Sequence, residues 1–139
     1  MTWLEPMLVA VGVLAGDQAS KALVTARTAP AAVKDRSFLS LRPVMNRRGA
    51  LASFLGTPAL LALWAFSLAI AVLLLQQEML GMLGAAGIGA VIGGATGNLL
   101  DWLRRGAIVD FITIGPWPVF NLADSAIVVG FGLILLSMR

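Results

Sequence analysis

The chain has 139 residues, 59% of them hydrophobic and only 12% charged, a composition that excludes an ordinary soluble domain with its roughly 25% of charged residues. The net charge is +3, but the basic residues lie in short connections, so we expect anionic lipid head groups and no nucleic acid as partners. Cysteine and histidine are absent, which excludes disulfides, thiol nucleophiles, Ser-His triads and the usual zinc sites, and we expect neither a metal nor a cofactor.

The first predicted element is a transmembrane helix over residues 4–24, which Asp17, Gln18 and Lys21 interrupt. No basic segment precedes it, so we expect a retained helix and not a cleaved signal peptide. Asp17 and Lys21 are four residues apart and therefore share one helix face. Their simplest interpretation is an intrahelical ion pair.

A connection over residues 25–56 comes next and holds six of the ten basic residues. Its centre, SFLSLRPVM, has the composition of one or two short strands, so we expect a small extramembrane cradle at the interface. Thr57 and Pro58 then supply an N-cap and a first-turn proline, and the uncharged run after them predicts a second transmembrane helix over residues 58–75.

A third helix is predicted over residues 79–100, an uncharged run with seven glycines. Gly89, Gly93 and Gly97 repeat at four-residue spacing, which permits close helix approach within one bundle or in a dimer. After a Gly-Pro-Trp-Pro turn, a fourth helix is predicted over residues 119–138. The expected fold is an all-α membrane protein, a bundle of four transmembrane helices with a β-containing cradle, forming one domain over residues 1–139.

Polar side chains cluster where the third helix ends and the fourth begins. Asn98 and Asp101 are three residues apart, and Asn121 and Asp124 repeat that offset. Each pair also has a structural explanation. An acid at the end of a helix can emerge into water, and Asn121 with Asp124 matches a capping box, in which the helix dipole favours a carboxylate.

Asp110 lies in the short connection between these helices, in a strand or a loop, where a solvated loop acid is the simpler interpretation. Because the connection is short, Asp101, Asp110 and Asp124 can converge on one side of the membrane. Two adjacent carboxylates share one proton, so that the ionised acid activates water and the protonated acid polarises a peptide carbonyl. Such a pair can hydrolyse peptides without metal, histidine or cysteine.

Another hydrolytic mechanism would use Lys21 as the general base for a serine. The candidate nucleophiles are Ser20, Ser53 and Ser125. Asp17, one turn from Lys21, favours the charged form of the lysine, so this alternative is the weaker one.

Four segments resemble the ordered motifs of the lipoprotein signal peptidase (signal peptidase II) family: DQASK at 17–21, GGATGNLLD at 93–101, GAIVDF at 106–111 and FNLADSAI at 120–127. The resemblance covers nearly the whole chain. It implies an intramembrane aspartyl endopeptidase that removes signal peptides from prolipoproteins before a diacylglyceryl-modified cysteine. It also implies a multi-pass protein of the bacterial cytoplasmic (inner) membrane, with residues 25–56 as an extracytoplasmic cradle and lid.

The resemblance also assigns roles to residues. Asp110 and Asp124 match the catalytic pair. The other assigned residues bind substrate or support the pair: Asn98, Asp101, Asn121, Asp17, Lys21 and Asn46. We expect a monomer whose partners are a lipidated prolipoprotein and membrane lipids.

Two departures from the family pattern leave alternatives open. Trp102 stands where the family usually has an arginine, and the segment NRRGALASF is one residue longer than usual between Asn46 and Gly49. A pseudoenzyme that binds lipidated peptides without cleaving them is one alternative. A non-enzymatic transport or ion-binding protein with a carboxylate pathway is the other.

Charge bias and resemblance predict opposite orientations. The connections 25–56 and 103–118 carry eight basic residues, which the positive-inside rule places in the cytoplasm. The family places this side, with the active site, near the extracytoplasmic face. We expect the family orientation because the motifs are the more specific signal.

Overall fold

The computed structural model describes residues 3–27, 39–46, 62, 64–71, 73 and 81–138. This part of the chain is mostly helical, with one small sheet. Its elements in chain order are α1 (Leu4–Arg27), β1 (Leu39–Asn46), α2 (helical over residues 64–71), α3 (Gly81–Arg105), β2 (Ile108–Ile114) and α4 (Leu122–Ser137). Much of the predicted cradle and parts of the predicted second span lie outside the described residues.

The helices α1 and α3 have 24 and 25 residues and are apolar enough to cross a membrane, each with a hydropathy of 1.4. Within the described residues these two helices meet that test, while α4 is a shorter apolar helix. Both long helices run past their predicted ends, to Arg27 and Arg105. At 1.5 Å per residue, each spans more than the ~30 Å of a bilayer core.

Glycines on α3 let neighbouring helices approach at backbone distance. A Cβ added at Gly93 would lie 2.5 Å from the Ala10 carbonyl oxygen of α1, and one added at Gly94 would lie 2.5 Å from the Ala123 carbonyl oxygen of α4. Neither distance leaves room for a methyl group. The row that starts at Gly89 therefore packs against α1 of the same chain, and α3 lies between α1 and α4.

The two strands pair antiparallel, with Leu39 opposite Ile114 and Asn46 opposite Ile108. The register shifts between Leu41 and Val44. Pro43 lies inside that shift, and a proline has no N–H to give to the ladder, which accounts for the irregularity. Past the shift, the end of β1 lies beside the start of β2.

The turn after β2 returns the chain to the same strand. Gly115 has φ 52°, a left-handed conformation that suits glycine, and Trp117 N–H donates to the Ile114 carbonyl at 3.1 Å. Phe120 then pairs with Ile112 through N–H···O bonds of 3.0 and 2.8 Å. Because Phe120 pairs with β2, α4 starts at Leu122, later than the predicted start at residue 119.

The capping box predicted at the start of α4 is confirmed. Asn121 is the N-cap in an extended conformation, and its side chain accepts from the Asp124 N–H at 2.8 Å. In return, Asp124 Oδ2 accepts from the Asn121 N–H at 3.2 Å. These two bonds satisfy N–H groups that the first turn of a helix leaves unpaired.

Candidate active site

One hydrogen-bonded network joins the end of β1, the middle of β2, the start of α4 and the C-terminal halves of α1 and α3. It contains every residue that the family resemblance assigned to the site: Asp17, Lys21, Asn46, Asn98, Asp101, Asp110, Asn121 and Asp124. The network lies where three helix ends meet the two-stranded sheet.

Asp110 is the third of the seven residues of β2, with its side chain turned toward the start of α4. The residue is only 4% exposed. Its Oδ1 accepts from Asn121 Nδ2 at 2.8 Å, and its Oδ2 accepts from Asn46 Nδ2 at 2.9 Å. Burial raises the pKa of Asp110, and the nearby charge of Asp124 adds to the rise, while the two amide donors and the Lys21 charge act in the opposite direction.

Asp124 lies in the first turn of α4, one turn away from the cap. Its Oδ1 accepts from Asn98 Nδ2 at 2.8 Å, and its Oδ2 accepts from the Asn121 backbone N–H. Each of the four carboxylate oxygens of Asp110 and Asp124 thus accepts one N–H. Asn121 contributes to both acids, through its side chain on one and its backbone on the other.

The two amide side chains that link the acids also contact each other. Asn121 is fully buried, and its Nδ2 lies 2.9 Å from Asn98 Oδ1 and 3.4 Å from the Val109 carbonyl oxygen. The same oxygen of Asn98 accepts from Lys21 Nζ at 3.1 Å. The amides therefore connect the buried charges of α1 to the acid pair.

Asp17, Lys21 and Asp101 are all fully buried. Lys21 Nζ lies 2.7 Å from Asp17 Oδ2 and 2.7 Å from Asp101 Oδ2, and Asp101 also pairs with Arg105 one turn further on. Two acids and two bases balance the charge, as burial requires. Asp17 Oδ1 in addition accepts from the Ala123 N–H of α4 at 3.0 Å, so α1 helps to cap α4.

Among the described residues, two further side chains bond to the carboxylates of the network but were not among the predicted site residues. Gln18 Nε2 lies 3.1 Å from Asp17 Oδ2, 3.2 Å from Asp101 Oδ1 and 3.3 Å from the Gly97 carbonyl oxygen. Arg105 is the other, through its pair with Asp101. The spacing of four residues between Asp101 and Arg105 is a signal that was present in the sequence.

The serine alternative finds no support among the described residues. The Ser20 hydroxyl donates to the Asp17 carbonyl at 2.8 Å, and the Ser125 hydroxyl donates to the Asn121 carbonyl at 3.1 Å. The three donors of Lys21 go to two carboxylates and an amide. Ser53, the third candidate, lies outside the described residues.

The fold is that of a bacterial membrane enzyme. A solved structure described as a bacterial membrane enzyme matches 96% of this chain and 91% of its own, with a TM-score of 0.80 at 24% identity. A second structure with the same description matches 96% of this chain and 86% of its own, with a TM-score of 0.79 at 26% identity.

Comparison of the sequence with known proteins identifies the family to which the chain belongs. The family model described as signal peptidase (SPase) II matches residues 9–139. The lipoprotein signal peptidase of Syntrophotalea carbinolica is 34% identical over 142 residues, covering 94% of this chain and 88% of that protein. That of Syntrophomonas wolfei is 39% identical over 127 residues, covering 88% and 83%. The match to that of Rhodococcus jostii, 39% identical, covers 85% of this chain and 64% of that protein's length.

This chain belongs to the signal peptidase II family, a family of aspartic-type proteases that process lipoproteins. The family resemblance in the four motifs is thereby confirmed.

Proposed function

We propose that this protein removes signal peptides from prolipoproteins, before a diacylglyceryl-modified cysteine, and that Asp110 and Asp124 are its catalytic pair. The observation that carries the proposal is the shared coordination of the two acids. Asn121 bonds to both of them, and each of their four oxygens accepts one N–H. Both carboxylates are thus held by the same residue, Asn121, which supports a pair that acts together.

The two acids have different surroundings, which suggests their roles. Burial raises the pKa of Asp110, so this acid is suited to hold the shared proton and to polarise the scissile carbonyl. Asp124 then takes a proton from water, and the hydroxide adds to the carbonyl carbon to give a tetrahedral intermediate. Collapse of the intermediate breaks the C–N bond, while a carboxyl proton passes to the leaving amine.

The remaining polar residues are proposed to bind substrate or to support the pair. Asn46 reaches Asp110 from β1, at the border of the proposed cradle of residues 25–56. Asn98 and Asn121 hold the acids, and Asp17, Lys21 and Asp101 form the charged base of the site. A diacylglyceryl group on the substrate would lie in the lipid beside these helix ends.

We further propose a single domain over residues 1–139 with four transmembrane helices, near residues 4–24, 58–75, 79–100 and 119–138. The protein would be a monomer in the cytoplasmic membrane, surrounded by lipid, with its site at the extracytoplasmic face. The apolar lengths of α1 and α3 support the spans, and the packing of the glycine row within the chain supports the monomer.

Cleavage of a lipidated prolipoprotein by the detergent-purified protein tests the proposal, with the mass of the released signal peptide as the readout. We expect cleavage by the wild type and a loss of at least about 1000-fold in kcat for Asp110→Asn and for Asp124→Asn. Glu5→Gln is the matched control, because it makes the same chemical change at an exposed position in the first turn of α1.

Each alternative predicts a different outcome of this assay. Cleavage that survives either aspartate substitution contradicts the catalytic pair. Binding of the lipidated peptide without cleavage by the wild type favours the pseudoenzyme. A wild type that neither binds nor cleaves the lipidated peptide favours the transport or ion-binding protein.

A further inference from the structure

Lys21 is a buried ammonium group whose three donors each have an acceptor. Two of the acceptors are the carboxylates of Asp17 and Asp101, both at 2.7 Å. The third is the neutral amide oxygen of Asn98, at 3.1 Å. The two carboxylates already compensate the charge of the lysine. Charge compensation therefore gives no reason for the third contact.

The third contact determines which way the Asn98 amide faces. An ammonium group only donates, so the amide oxygen must face Lys21 and the amide nitrogen must face away from it. That nitrogen donates to Asp124 Oδ1 at 2.8 Å. If the amide turned by half a rotation, its NH₂ group would meet the ammonium and its oxygen would meet the carboxylate. Both bonds would be lost.

Asn121 favours the same orientation of Asn98. Its Nδ2 donates to Asn98 Oδ1 at 2.9 Å, which again requires the oxygen on that side. The orientation of Asn121 is itself fixed, because its Oδ1 accepts from the Asp124 backbone N–H. One arrangement of the two amides thus satisfies Lys21, Asp110 and Asp124 together.

We propose that Lys21 is a positioning residue for catalysis. It orients the Asn98 amide so that the NH₂ group of Asn98 faces Asp124 and donates to its carboxylate. The inference rests on the proposed function of the acid pair. If the Asn98 amide were turned, its carbonyl oxygen would face Asp124. Asp124 would then have to be protonated to form a hydrogen bond with it. A protonated Asp124 cannot accept the proton of the attacking water. Lys21 acts through Asn98 and does not itself contact the reacting atoms.

The test compares two variants of the full-length protein that share the substitution of Asp17 and differ only at Lys21. Asp17→Asn is the reference, and its new side chain keeps an oxygen for the Ala123 N–H. Asp17→Asn/Lys21→Met is the test variant, which removes the donor without leaving Asp17 as an unpaired acid. Thermal unfolding in detergent verifies that both are folded, and cleavage of a lipidated prolipoprotein peptide gives kcat and KM.

We expect the test variant to have a kcat about 10- to 100-fold below the reference, the effect of one hydrogen bond to a charged group, with KM within about threefold. Asn98→Ala introduced into both backgrounds completes a double-mutant cycle. Its effect should be much smaller when Lys21 is already Met, because the two residues act in series.

Equal kcat values in the test and reference variants, or fully additive losses in the cycle, overturn the role of Lys21. If the test variant does not fold, Lys21→Arg and Lys21→Gln are compared in the native background. The guanidinium only donates, whereas the glutamine amide can present its oxygen to Asn98. A higher kcat for Lys21→Arg supports the role, and equal values overturn it. A wild type that cleaves nothing overturns the proposed function itself.

Discussion

Asp110 is deeply buried and accepts from two amide groups, so its pKa in the folded protein differs from that in the unfolded chain. The same position in an unfolded chain would titrate near 3.8. Burial raises the folded pKa above that value even though Asn46 and Asn121 donate to the ionised form. A carboxyl that holds its proton at higher pH is available as the acid of a dyad over a wider pH range.

The raised pKa of Asp110 has a consequence for stability. In the window between 3.8 and the folded pKa, the folded protein binds more protons than the unfolded chain, so its free energy of unfolding falls as pH rises. Asp110→Asn removes this dependence. We expect the Tm of the variant, relative to the wild type, to increase as pH is raised through the window.

Thermal unfolding in detergent across a pH series measures this difference. Thr113→Ala is the control, because it alters a neutral side chain of the same strand, and its Tm difference should stay constant with pH. A constant difference for Asp110→Asn as well would contradict the raised pKa.

At the level of elements, the site depends on how closely α1 approaches α3. A Cβ added at Gly97 would lie 2.6 Å from Asp17 Oδ2, so the absence of a side chain at Gly97 is what admits the buried carboxylate. Asp17 in turn bonds to Lys21 and to the Ala123 N–H at the start of α4. Gly97 of α3 therefore leaves the space for the carboxylate through which α1 contacts the start of α4.

Gly97→Ala should displace Asp17 and weaken both of its bonds. We expect a loss of about 1–3 kcal/mol in stability, the usual cost of overpacking, together with reduced cleavage. Gly12→Ala is the matched control, since nothing lies within 4 Å of a Cβ there and alanine is the better helix former. Equal unfolding temperatures for the two variants would contradict the packing role of Gly97.

Considered as a whole molecule, the protein has its polar network at one end of the helices. The network joins the C-terminal halves of α1 and α3 to the start of α4, and the turn with Trp117 lies at this same end. Trp117 is 71% exposed, and Met138, just past the opposite end of α4, is 60% exposed. These two positions report on opposite ends of the helix.

The absence of cysteine allows a direct test of orientation. Single Trp117→Cys and Met138→Cys variants are treated with a membrane-impermeant maleimide in intact cells. With the site at the extracytoplasmic face, we expect rapid labelling of the variant at 117 and labelling of the variant at 138 only after lysis. The reverse pattern would support the orientation that the positive-inside rule predicts.

The sequence by itself determined the helices α1, α3 and α4, the capping box and the set of polar candidates. Long uncharged runs predict helices because backbone groups in lipid must bond internally. Asn121 and Asp124 form their capping box through bonds within one helical turn, so their spacing was enough to predict it. The family motifs supplied the candidate catalytic pair in the same way, as patterns within short segments.

Only the tertiary structure decided how these segments meet. The pairing of β1 with β2, the register shift beside Pro43 and the hydrogen bond from Gln18 to Asp101 join residues far apart in the chain. The orientation of the Asn98 amide also depends on distant residues, because its oxygen accepts from Lys21 of α1 and its nitrogen donates to Asp124 of α4. Local periodicity carries no information about such contacts, since they arise when buried polar groups from different elements must satisfy one another.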